Sequence, residues 1–325
     1  MQIGSLKQAV EQLLKYDSIV IFHHIQPDGD CLGSQHGLGE LLRTNFPNKQ
    51  IYCVGDENGL FPFLNIQMDP NPSDEILKKS LAVIVDANYK DRIHTRELLD
   101  KEIFAHVLRI DHHPNDDDLG DNVTRWVDSS YIAADEMIAE IAYETKWKIS
   151  KQAARFLYLG MVTDSGRFLF SNTSARTLKL ASYLYENGLD ADFMHLNMYK
   201  TSIEEIKFNA WLTSTLKTRD GVAYLQNSYQ DTIQRGRTPE KSVRPNLISN
   251  IDGFPIWAQF IEEKDGKVRV ELRSNGPVVR NVALKWGGGG HLKASGCVLD
   301  SVNDIESVID DCALEVQKYL QQESN

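Results

Sequence analysis

Ser18-Ile19-Val20-Ile21-Phe22, running into His23-His24-Ile25-Gln26-Pro27-Asp28-Gly29-Asp30, is the stretch that decides how this chain folds. A β-rich apolar run stops at imidazoles and carboxylates, and Pro27 and Gly29 force a turn there. A helical pattern then begins near Leu32 and continues through Leu38, Leu41 and Leu42. The polar segment therefore falls between a strand end and a helix start, where open α/β sheets bind their ligands. His24, Asp28 and Asp30 share that loop.

The same arrangement recurs downstream. Leu81-Ala82-Val83-Ile84-Val85 ends in Asp86, and Ala105-His106-Val107-Leu108-Arg109-Ile110 ends in Asp111-His112-His113-Pro114. Such runs read as buried parallel strands, because helices cover both sheet faces. Asp164 follows the apolar residues 156–163 and precedes Ser165-Gly166. Taken singly, each polar residue has an ordinary reading: Asp28 and Asp30 as turn residues, Asp86 as a helix cap, His112 or His113 as a hydrogen-bonded histidine. Jointly they read as a metal site, since a core avoids such groups. Hard carboxylate oxygens and imidazole nitrogens at the mouth of one sheet suit manganese or magnesium better than a thiolate-binding metal.

A length of 325 residues favours two domains, and the net charge of −11 argues against coating long duplex nucleic acid. A small substrate in a local pocket fits that balance better. Cys31, Cys53, Cys297 and Cys312 have no CxxC spacing, so neither a zinc knuckle nor a redox pair is indicated, and reduced thiols are expected. The start of the chain lacks a signal-peptide pattern and no apolar run reaches membrane-spanning length, so the expected location is the cytoplasm.

Strand and helix patterns alternate over residues 18–165, as in βαβ units. A helix is expected over residues 174–186, ended by Asn187-Gly188. Residues 190–216 read as a connecting helix pair with Phe193, Leu196, Ile203, Ile206 and Leu212 forming an apolar stripe. After Asp220-Gly221 the texture changes to shorter β-like runs at 222–225, 256–261 and 268–272, the last two joined by a Lys264-Asp265-Gly266-Lys267 turn. Residues 235–241 form a basic connection that either faces substrate or is simply solvated. The run Gly287-Gly288-Gly289-Gly290-His291 reads either as a flexible turn or as backbone N–H groups that approach a phosphate without a Cβ in the way, with His291 as a further donor. Arg273, ending a β-like run, suits a bidentate grip on phosphate.

On these residues the chain resembles the DHH phosphoesterase superfamily, specifically the DHH/DHHA1 group of stand-alone nanoRNases and 3′-phosphoadenosine-5′-phosphate (pAp) phosphatases. The matching motifs are His24-x-x-Pro27-Asp28-x-Asp30, Asp86, Asp111-His112-His113, Asp164-Ser165-Gly166 and Gly287 through Gly296 with His291. The resemblance implies an α/β fold: a Rossmann-like parallel-sheet DHH domain (1–188), a helical linker (189–218) and a smaller α/β DHHA1 domain (219–325) placed across a cleft. It implies two divalent ions, manganese first among them. One would take His24, Asp28 and Asp86, the other Asp30, Asp86, His112 and Asp164. His113 and Asp111 are the implied catalytic pair, His113 binding or protonating phosphoryl oxygens and Asp111 holding its neighbours in orientation. Arg273, Gly288, Gly289, Gly290 and His291 would bind substrate.

The implied activity is hydrolysis of very short oligonucleotides to mononucleotides and dephosphorylation of pAp. A phosphodiesterase for linear di-adenylate and a catalytically silent nucleotide sensor are the alternatives. Short oligonucleotides and small phosphorylated nucleotides are the expected partners; long duplex and membrane are not, and a homodimer is left open. One departure from the pattern is Asp86-Ala87-Asn88, where relatives often carry a hydroxyl residue after the aspartate.

Overall fold

A computed structural model describes residues 2–114 and 116–323, which divide into two compact units, 1–200 and 201–325. In the first unit the chain runs α1 (Leu6–Lys15), β1 (Ser18–Phe22), α2 (Gly29–Asn45), β2 (Gln50–Cys53), α3 (Asp74–Leu77), β3 (Leu81–Val85), β4 (His106–Asp111), β5 (Val123–Val127), α4 (Ala134–Thr145), α5 (Lys151–Asp164), α6 (Ala175–Glu186) and α7 (Ala191–Met198). The five strands form a parallel sheet in the order β2-β1-β3-β4-β5. Every residue of β1 and β3 is buried, which explains their unbroken apolar sequences.

Side chains alternate across the sheet. Ile19, Ile21, Leu81 and Val83 pack with α1, α2, α4 and α5 in the main core, while Val20, Phe22, Ala82 and Ile84 face the other way. That second face is covered by Leu77 of α3 and by Ile93, Leu98 and Leu99 from short 3₁₀ turns, rather than by long helices on both faces. Residues 156–163 belong to α5, so Asp164 ends a helix and not a strand. The run is apolar because α5 packs against α2, α4 and α6, which leaves it little solvent-facing surface.

The second unit contains α8 (Ile203–Ser214), β6 (Lys217–Arg219), β7 (Val222–Asn227), α9 (Tyr229–Gln234), β8 (Ile256–Glu262), β9 (Val268–Ser274), α10 (Val279–Lys285), β10 (Gly289–His291), β11 (Ala294–Leu299) and α11 (Ile305–Glu323). Its sheet has the order β10-β11-β9-β8-β7-β6 and is antiparallel except for the β7/β8 pair. Tyr224, Phe260, Val270 and Leu272 pack with α10 and α11 on one face; Leu225 and Trp257 pack with Phe208 and Leu212 of α8 on the other.

The stripe expected over 190–216 is interrupted. The Ser202 hydroxyl accepts the Glu205 N–H at 3.0 Å and starts a new helix, and Leu196, Ile203 and Ile206 are exposed. Residues 235–241 are held by their own unit: Arg237 donates to Glu205 at 2.5 Å and the Arg235 guanidinium lies 3.9 Å from the Trp211 ring centroid. The glycine run is partly strand, with β10 pairing against β11. Gly288 is needed for close approach, because a Cβ there would stand 2.1 Å from the Gly296 carbonyl oxygen.

Candidate metal centre

The strand-to-helix turn after β1 supplies the first residues. Asp28 is the N-cap of α2, its Oδ1 accepting the N–H groups of Asp30 and Cys31 at 3.1 Å each. Asp30 lies in the first helical turn, and both its oxygens are engaged elsewhere: Oδ2 accepts the Ala134 N–H at 2.8 Å and Oδ1 the Asp135 N–H at 2.9 Å. Asp30 therefore caps the start of α4 from 104 residues away along the chain. Asp86 follows β3 with φ of 53°, a left-handed conformation disfavoured for a side chain and characteristic of functional turns.

These elements bring the expected side chains together. His24 Nε2 lies 3.6 Å from Asp28 Oδ2 and 3.3 Å from Asp86 Oδ2, while its Nδ1 is held 2.7 Å from the Ile25 carbonyl oxygen. His112 Nε2 lies 3.4 Å from Asp30 Oδ2, 3.4 Å from Asp86 Oδ1 and 3.8 Å from Asp164 Oδ2. Asp86 thus offers one carboxylate oxygen to each of two groups of donors. His113 Nδ1 is 2.9 Å from Asp111 Oδ1 and 3.2 Å from Asp86 Oδ1, which leaves Nε2 as the ring nitrogen facing neither carboxylate. Asp111 contributes to orientation: it is fully buried and also accepts the His113 backbone N–H at 3.0 Å.

The electrostatics are those of a site made for cations. Burial alone would raise the Asp86 carboxyl, but close contact with the His112, His113 and His24 imidazoles holds it well below the usual carboxylate range. Burial, then the charges of Asp86 and Asp164, pushes Asp30 well above that range. Burial and Asp86 likewise push Asp164 up to about 7. Burial opposes charge on the histidines too, yet contact with Asp86 and Asp30 raises His112 to about 9, and contact with Asp111 and Asp86 raises His113 to about 10. Protons on imidazole here stand in for positive charge. Asp86 Oδ1, although buried and close to two imidazoles, makes no hydrogen bond of good geometry. Donors separated by 3.3–3.8 Å across the two sides of Asp86 have the spacing that divalent ions with ligands at ~2.0–2.2 Å require, so the residues fit the expected ions.

Three residues of this neighbourhood were not singled out from sequence. Arg109 is fully buried and spans the site's back: it donates to Asp111 through Nε (3.0 Å) and Nη2, to Asp117 at 2.9 Å, and to the carbonyls of Ala87 (3.1 Å) and Pro114 (3.1 Å). Its signal was an arginine inside an apolar strand. The Ala87 contact also uses only backbone, so the absence of a hydroxyl after Asp86 removes nothing from it. Asp135 is wholly buried with no hydrogen bond to its carboxyl oxygens, and burial followed by the nearby Asp30 charge raises it well above the carboxylate range. Gly160 makes room for it, since a Cβ there would stand 1.8 Å from Asp135 Oδ2. Cys31, buried in the first turn of α2, forms a potential ligand group with His24 and Asp28.

In the second unit Arg273 donates to Glu271 at 3.2 Å and to the Leu272 carbonyl at 2.9 Å, and the Ser295 hydroxyl donates to the His291 carbonyl at 2.6 Å. Gly289 and Gly290 pair with Gly296 and Ser295, so Arg273, the glycines and His291 share the β9-β11-β10 side of the sheet.

Residues 18–161 match the model of the DHH family, N-terminal domain, and residues 233–318 match the DHHA1 domain. The chain is 49% identical to the bifunctional oligoribonuclease and PAP phosphatase NrnA of Mycoplasma pneumoniae, over 96% of this chain and 97% of that one. It is 34% identical to the protein of the same name from Bacillus subtilis, covering 94% and 96%. An exopolyphosphatase-related protein from Bacteroides fragilis shares the fold, with a TM-score of 0.81 at 19% identity over 98% of this chain and 97% of that one.

Proposed function

The chain belongs to the DHH family and carries a DHHA1 domain behind its DHH domain, and from that premise we propose that it is a phosphoesterase that hydrolyses very short oligoribonucleotides to mononucleotides and dephosphorylates pAp. The substrates follow the names of its relatives from Mycoplasma pneumoniae and Bacillus subtilis. The observation that carries the chemistry is Asp86, a buried carboxylate with one oxygen toward His24 and the other toward His112.

His24, Asp28 and Asp86 would hold one divalent ion; Asp30, Asp86, His112 and Asp164 would hold the other, with manganese the ion that the oxygen-rich set favours. When bound, such a pair supplies charge to the phosphoryl oxygens and lowers the pKa of an attacking water. The protein's own groups do the rest. Asp111 fixes the His113 ring through Nδ1, so its other nitrogen can hydrogen-bond a phosphoryl oxygen or deliver a proton to it. Burial opposes charge on Asp111, but contact with His113 and then the Arg109 charge hold its carboxyl below the usual carboxylate range, and Arg109 fixes it in place with two N–H groups. Arg273, Gly288, Gly289, Gly290 and His291 are assigned to holding substrate phosphate, with unobstructed backbone N–H groups complementing the guanidinium. No helix among the described residues is long and apolar enough to cross a membrane, and we assign the enzyme to the cytoplasm.

The test is a substrate panel. Purified protein with manganese is given pAp, linear di-adenylate, a five-nucleotide RNA, a long RNA and pyrophosphate separately, and initial rates are compared. Short RNA and pAp should be turned over fastest. Rates that rise toward long RNA, preference for pyrophosphate, or no turnover of any substrate would overturn the proposal.

A further inference from the structure

The donor set around His24 contains sulfur as well as nitrogen and oxygen. Cys31 lies three residues after the N-cap Asp28, so the first turn of α2 folds its side chain back over that residue; Sγ accepts the Asp28 N–H at 3.2 Å and stands 3.9 Å from His23 Nδ1. Sγ, a His24 ring nitrogen and an Asp28 carboxylate oxygen all lie within 4.8 Å of one another. His24 in turn points Nε2 at Oδ2 of Asp86, 3.3 Å away, a carboxylate that is almost wholly buried. No other cysteine joins such a group among the described residues. On the other side of Asp86 the donors are imidazole and carboxylates only, from His112, Asp30 and Asp164.

We propose that Cys31 is a fourth donor, beside His24, Asp28 and Asp86, and that this half of the centre is a thiol-containing site preferring borderline ions such as Co²⁺ or Zn²⁺, while the His112 half remains a hard site. The inference rests on the two-ion reading above. A thiol has two uses in this position: as a small apolar filler that accepts one N–H, or as a ligand. The filler role uses the Asp28 N–H as donor and the Asp28 carbonyl, 3.8 Å from Sγ, as acceptor. The ligand role accounts as well for a sulfur placed beside two other donors, one of which, His24, faces the buried Asp86 carboxylate. Coordination breaks the S–H bond, releases its proton to solvent and forms a sulfur–metal bond with no change in oxidation state. Thiolate then shifts ion preference away from manganese, which carboxylate and imidazole alone would favour.

The experiment titrates metal-free protein with Co²⁺ while absorption is followed in the near ultraviolet, where thiolate ligation gives a charge-transfer band that nitrogen and oxygen donors do not. Bound cobalt is counted in parallel by equilibrium dialysis. The expected result is a band saturating at one equivalent of two bound, lost in Cys31→Ser with cobalt still binding. Two equivalents bound without a band would refute the sulfur ligand and leave the two-ion reading intact. A band that survives Cys31→Ser also refutes it. Failure to bind cobalt at all would overturn both readings.

Discussion

Arg109 offers the sharpest test of how the centre is supported. In Arg109→Met the buried guanidinium disappears, and Asp111, Asp117 and the carbonyls of Ala87 and Pro114 each lose a donor. Breaking a buried charge pair by removing one partner costs about 3–5 kcal/mol. The lower end applies here, because Asp117 keeps two bonds from Arg125, at 2.8 and 2.7 Å, and Asp111 keeps His113. For a domain of this size ~3 kcal/mol corresponds to a fall of roughly 6–12 °C in Tm. The assay is a thermal melt of the metal-free variant and wild type at pH 7, with kcat on short RNA measured below the melting range. The rate should fall as well, since His113 loses its braced carboxylate. A Tm within about 2 °C of wild type would refute the argument, because no relaxation of an intact core re-solvates two carboxylates at so small a cost.

Three other perturbations follow from the same geometry. Asp86→Asn keeps a residue tolerant of φ 53° but lowers the charge shared between both halves of the centre, so turnover should nearly vanish with the fold retained; wild-type initial rates at saturating manganese would sink the assignment. His291→Ala and Arg273→Ala should lower kcat/KM on oligonucleotides strongly with manganese content unchanged, and loss of bound manganese by elemental analysis would show the roles misassigned. His36 is buried, and burial followed by the Arg43 charge lowers it to about 4 against the opposing charge of Asp69. The unfolded chain takes up its proton near 6.5 and the folded one only near 4, so the stability from His36 is complete above pH 6.5 and is lost as pH falls between those values. His36→Phe should flatten that part of the unfolding-free-energy profile measured with urea; an unchanged slope would contradict the burial argument.

The strand ends were readable from sequence because parallel strands buried on both faces cannot hide a change of polarity: Val85 to Asp86 and Ile110 to Asp111 mark where the core stops. The division at Lys200 was harder to see, since Leu196, Ile203 and Ile206 keep apolar spacing without being buried. Asp164 carried the right chemistry on an element whose period was masked, because α5 packs against α2, α4, α6 and α7 and has no broad polar face. Arg109, Asp135 and Cys31 escaped for a different reason. Each acts through a contact made in three dimensions: a salt bridge behind the sheet, a space opened by Gly160, and a helical turn that points sulfur back toward Asp28.

The double engagement of Asp30 bears on how a substrate complex should be trapped. A dead enzyme for crystallography or affinity capture is commonly made by deleting a ligand carboxylate, and removing this one would strip the acceptors from two buried N–H groups at the head of α4, at about 1–3 kcal/mol each. The damage would pass along the same helix to Glu136, which holds Arg176 and Thr177 of α6. Asp164 ends its helix at a partly open position, and its carboxylate accepts the Thr163 hydroxyl at 3.3 Å and faces His112 Nε2 at 3.8 Å, with no buried backbone N–H depending on it among the described residues. Silencing the enzyme at Asp164 therefore leaves the scaffold able to present its remaining groups to an uncleaved oligonucleotide, whereas silencing it at Asp30 would capture a different shape.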